Sequence, residues 1–132
     1  MDLKALNKTV RDILIEKVGS HVSNRIYPIQ ELNTIPRHLP ILVFELGNPA
    51  NLYLNVWVEY NLVFHLIDKP EKEPDLVEIA NILTDLGNTR SENNLFYISF
   101  GSSNPIESAT FEHRGRILSE VVTSLTMKVG EK

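Results

Sequence analysis

Residues 55–68 read NVWVEYNLVFHLID. Val56, Val58, Tyr60, Leu62, Phe64 and Leu66 alternate with Trp57, Glu59, Asn61, Val63, His65 and Ile67. A period of two puts each series on its own face of a β-sheet. The first series is uniformly apolar and is expected to face the core. The second mixes Trp, Val and Ile with Glu, Asn and His, which suits neither a core nor open solvent. A strand running from about Tyr53 to Ile67 therefore predicts a sheet-based fold with a second face that something must meet.

The neighbouring segments fill in the rest. Leu3, Leu6, Val10, Ile13, Leu14 and Val18 fall on one helical stripe, so a helix is expected from Leu3 to Val18, stopped by Gly19. Arg25 to Tyr27 reads as a short strand closed by Pro28. Residues 29–40 read as a loop. Ile41 to Leu46 is a strand-forming run, and Gly47 to Asn51 is turn chemistry leading into the long strand. Leu76, Ile79, Ala80, Leu83 and Leu86 make a second helical stripe, with Asp75 and Glu78 as a capping box and Gly87 as its stop. NTRSENN and GSSNPIES read as loops around a strand from Leu95 to Phe100. From about Thr110 the chain extends again, to Val129. The expected fold is α+β: one domain over residues 1–132, with a mainly antiparallel sheet of about four to five strands and two helices on one face.

Composition is that of a globular chain, 42% hydrophobic and 23% charged, and 132 residues are enough to bury a core. The net charge of −4 argues against tight nucleic-acid binding, which needs clustered cations. An acidic wall is compatible with DNA as a passing neighbour. There are no cysteines, which removes disulfides, thiolate-bound zinc and a Cys nucleophile. No membrane span or signal-peptide core is visible, so a soluble, non-membrane protein is expected.

Catalytic signatures are not found. His21, His38, His65 and His113 lie far apart without metal-ligand spacing, so no metal is expected. Glu71, Glu73, Asp75 and Glu78 surround a helix start, where their charge complements the helix dipole. No phosphate-binding glycine loop or nucleophile elbow occurs. The expectation is no enzyme, no catalytic residue and no cofactor. A small-ligand pocket around His65 or His113 is the alternative from another class. The second strand faces read either as covered by the chain's own helices or as a contact between subunits, with Trp57, Glu59, Asn61, Val63, His65 and Glu120 on the faces involved. Arg114 and Arg116 would share a face on a strand; they read first as exposed or salt-bridged charges at the strand start, and otherwise as an ionic contact with a carboxylate of a neighbouring subunit.

Several stretches, taken together, resemble the tail terminator, or tail completion, proteins of long-tailed bacteriophages. VGSHVSNRIYP follows the first helix. RHLPILVFELG supplies a proline-led strand. NVWVEYNLVFHLIDKPEKEPDLVEIANILTDL carries the tryptophan strand into the second helix. FEHRGRILSEVVTSL resembles the closing strand with its basic pair. The resemblance covers about Leu3 to Val129, and the GSSNPIES loop has no counterpart in it. It implies a homo-oligomeric ring, typically a hexamer, that caps the tail tube and stops its polymerisation. The implied partners are the major tail tube protein and a head-completion or connector protein, with DNA passing through the lumen. The implied place is the head-proximal end of the virion tail, after assembly in the host cytoplasm. A neck or baseplate component is a neighbouring possibility. From topology, Asn48, Ala50 and Asn51, and Asn104 and Glu107 in the Ser102–Glu107 loop, are expected to contact tube or connector.

Overall fold

A computed structural model describes residues 1–52 and 56–132. Helix α1 spans Leu3–Val18, as its stripe predicts, and Asp2 caps it by accepting from the Ala5 N–H at 3.1 Å. Strands β1 (Ile26–Pro28), β2 (Ile41–Leu52) and β3 (Trp57–Asp68) follow, then helix α2 (Glu73–Thr84). Strands β4 (Arg90–Glu92), β5 (Phe96–Ser103), β6 (Glu107–His113) and β7 (Arg116–Glu131) complete the fold.

The seven strands among the described residues join one curled sheet, shaped like half a barrel, in the order β1-β2-β3-β7-β5-β4, with β6 also paired to β7. This corrects the expected sheet of four to five strands. One additional strand, β4, lies inside the polar stretch read as a loop. Another arises because the extension from Thr110 is two strands: β6 turns into β7 at Arg114–Gly115. Both turn residues have positive φ, 50° and 78°, the geometry of a two-residue hairpin turn matched to sheet twist. Arg114 is thus an exposed turn residue, and does not share a strand face with Arg116.

Register makes β3 and β7 the spine of the sheet, paired antiparallel from Trp57↔Gly130 to Asp68↔Ser119. On its far side β7 is served by two strands end to end, β6 along residues 116–122 and β5 along its C-terminal half. Between them Asn104 is tied to β7: its N–H donates to the Ser124 carbonyl, its amide donates to Ser124 Oγ, and its carbonyl accepts from Thr123 Oγ1. The predicted loop of eight residues is therefore only 104–106, set at a lateral edge of the sheet rather than at its end. The predicted turn at Gly47–Asn51 also differs. Pairing resumes at Ala50↔Glu59 after a bulge at Gly47–Ala50, where Asn48 takes a φ of 50°, so Asn48, Ala50 and Asn51 lie within β2. The predicted residues 53–55 of the long strand lie outside the described residues.

The main core lies between the helices and the inner sheet face. Leu42, Phe44, Leu62, Phe64, Leu66, Val121, Leu125 and Met127 meet Leu6, Val10, Leu14, Leu76, Ile79 and Leu83 there. Val56 departs from the expected inward series: it lies before β3 begins and is 64% exposed. The capping box does not form. Helix α2 starts at Glu73, three residues early, because Pro74 supplies helical φ in the first turn. Gly87 likewise lies beyond the helix end at Thr84.

A second, smaller core lies on the outer sheet face. Ile41, Val43, Ile67 and Leu118 are buried there beneath Leu32, Ile35, Leu39 and Phe111. Residues 29–40 thus cross this face as a strap. Its far end is held by Arg116, whose guanidinium donates to the Ile35 and Pro36 carbonyls at 3.4 and 3.3 Å, and by Thr34 against His113 at 3.1 Å.

Candidate functional site

The outer face of β3 divides into zones along the strand. At one end the strap covers Ile67. Beside it His65 stands between carboxylates from both neighbouring strands. Its Nδ1 lies 3.1 Å from Glu120 Oε2 on β7, and its Nε2 lies 3.6 Å from Glu45 Oε1 on β2. Nε2 is buried without a hydrogen-bond partner among the described residues. The hydrogen bond to Glu120 pushes the imidazole pKa up. Burial opposes this, and the charges of Glu120 and Glu45 add to the rise. The two carboxylates engage opposite ring nitrogens, so the three groups form a line rather than converge on a point. Consistent with that, no group of three or more His, Asp or Glu among the described residues is placed to hold a metal ion.

Farther along, Asn61 and Val63 are half-buried, and Asn61 pairs with Thr126. The end of β3 away from the strap is organised by two cross-strand rows. In one, Glu59, Lys128, Ser99 and Arg90 follow each other across β3, β7, β5 and β4. In the next, Trp57, Gly130, Tyr97 and Glu92 do the same. Gly130 has no side chain, and the indole of Trp57 lies on it: a Cβ there would meet ring carbons at 3.1–3.3 Å. Tyr97 is 47% exposed, with Lys132 Nζ 4.6 Å from its ring centre and ion-paired to Glu92 at 2.8 Å. These residues line a groove of about 720 Å³ with Trp57 and Tyr97 in its walls and Arg90, Lys128 and Glu92 among its polar groups.

The structure therefore gathers Trp57, Glu59, Asn61, Val63, His65 and Glu120 on one face, as alternation requires. It does not bring Arg114 or Arg116 to the tryptophan end: Arg116 holds the strap and Arg114 sits at the hairpin tip. Asn104 is spent on β7, and Glu107 opens β6 opposite Val122. Sequence reasoning missed Glu45, Arg90, Tyr97, Lys128 and Gly130, whose places depend on register between distant strands. No family model and no curated protein matches the chain. Among the described residues no helix is long and apolar enough to cross a membrane.

Proposed function

We propose that the protein is a structural subunit, without catalytic turnover, that assembles with its own copies into a ring capping a phage tail tube. A hexamer is the ring size of the resembled family. The ring stops addition of tube protein and offers a surface to the head-completion protein, with DNA passing through its lumen in the virion tail. The sequence resemblance over Leu3 to Val129 motivates the role. The observation that supports it is the outer face of β3, where Trp57 rests half-buried on Gly130 beside Lys128 and Arg90, which carry no ion pair among the described residues. Aromatic and arginine side chains of that kind anchor protein contacts. The exposed bulge at Asn48–Asn51 is the surface we assign to tube or connector.

Electron microscopy of particles lacking the protein tests the role. Tails of uncontrolled length, or tails detached from heads, are expected; normal virions would end it. A second reading, small-ligand binding, draws on the size of the groove, which falls in the usual range for ligand sites. It predicts saturable quenching of Trp57 fluorescence by a small molecule in the monomer.

A further inference from the structure

Helix α2 buries Leu76, Ile79, Ala80 and Leu83, and turns Asp75, Glu78 and Asp85 to solvent, with Pro74 exposed in its first turn. The helix contains no Lys or Arg, and Asp85 occupies its C-cap. A carboxylate there faces the negative end of the helix dipole, so helix stability does not account for it. None of these carboxylates has an ion-pair partner among the described residues. Lys69 and Lys72 precede the helix and only partly offset its charge.

On the opposite side of the sheet, Lys128 and Arg90 share a row with Ser99 between them. Two strand spacings put them about 10 Å apart. Glu78 and Asp85 are seven residues apart, two helical turns, which is also about 10 Å. Pro74 lies one turn before Glu78, about 6 Å along the axis, close to the step from β7 to β3 that reaches Glu59, with Trp57 one row to the side. The acidic helix face and the basic row look out from opposite sides of one subunit, so a single chain cannot bring them together.

We infer that α2 of one copy lies across β7, β5 and β4 of the next, with Glu78 on Lys128, Asp85 on Arg90 and Pro74 at the β3 side of the row, flanked by Trp57. Lys72 then falls on the side of Glu59 and offsets that carboxylate. The contact is head to tail, which closes into a ring where the rotation per copy fits. The inference rests on the self-assembly proposed above and names the two surfaces that perform it.

Sedimentation velocity on the full chain and two charge-reversed variants tests it. One variant carries Arg90→Glu with Lys128→Glu, the other Glu78→Lys with Asp85→Lys. The parent is expected to self-associate, and each variant alone to do so at least about tenfold more weakly, because like charges then face each other. An equal mixture of the two is expected to regain the parent affinity, since each altered surface matches the other variant. Asp85→Lys suits the helix end, so loss of association in that variant is not loss of fold; circular dichroism checks both. A parent monomeric at about 1 mM, variants that associate like the parent, or a mixture that stays apart would each overturn the inference. Failure of tube capping alone, with this charge pattern obeyed, removes the terminator role and leaves the pairing. Capping that survives both charge reversals does the opposite.

Discussion

His65 draws a carboxylate from each neighbouring strand, and its charged form is the one they favour. Its folded pKa is raised, so its contribution to stability is full below the unfolded value near 6.5 and is lost as pH rises through the higher folded value. The melting temperature of the protein is thus expected to fall, relative to that of His65→Gln, as pH rises above the unfolded value near 6.5 and through the higher folded one, as scanning calorimetry at several pH values would show. Glu120→Gln should remove much of that difference. A second expectation concerns Gly130. Gly130→Ala crowds the indole by a few tenths of an ångström, and Trp57 is the single tryptophan, so its emission should shift to longer wavelength as the ring lifts towards water. Unchanged emission would mean that the ring does not rest there. At this scale the sequence shows that Trp57 and His65 share a face, because alternation is local. It does not show Glu45, Tyr97 or Arg90 beside them, because cross-strand neighbours follow from pairings that no local pattern encodes.

The elements differ in how plainly they are written. Helix α1 is legible in its bounds because its apolar stripe is regular; its Asp2 cap is a feature the stripe does not show, and Gly19, at φ −54°, leads into a 3-10 turn rather than acting as a left-handed stop. Strand β4, Arg-Ser-Glu, has no apolar alternation and forms only by backbone pairing to β5, so nothing in its composition announces it. The β6–β7 turn hides because Arg-Gly is a weaker turn signal than Asn-Gly. Arg114→Asn should therefore stabilise the hairpin, by about 0.5 kcal/mol in urea unfolding, since Asn tolerates positive φ better. The bulge at Gly47–Ala50 misled in the opposite sense: Gly, Asn and Pro permit a turn, but continued pairing of β2 with β3 wins. Gly87 is constrained from two elements, since a Cβ there would lie 3.1 Å from the Thr84 carbonyl and 3.2 Å from that of Gly101. Backbone cannot yield as a side chain can, and Gly87→Ala should destabilise by about 1 kcal/mol.

At the scale of the whole molecule, two cores share one sheet. The outer core is small, yet Leu118 is fully buried in it, and Leu118→Ala should cost about 2–5 kcal/mol in equilibrium unfolding, comparable with a change in the main core. A loss below about 0.5 kcal/mol would show that the strap does not seal that face. The sequence of the strap reads only as a loop, because its apolar residues are too sparse to show a period. The position of β7 reaches beyond the finished structure. It is the last strand in chain order and the one on which β3, β5 and β6 all depend. As the ribosome delivers the chain, β2 and β3 emerge with one flank of backbone amides and carbonyls lacking its partner. That flank stays open until more than fifty further residues have appeared. Vectorial synthesis therefore leaves a sticky intermediate, for which nascent-chain chaperones would compete with premature aggregation.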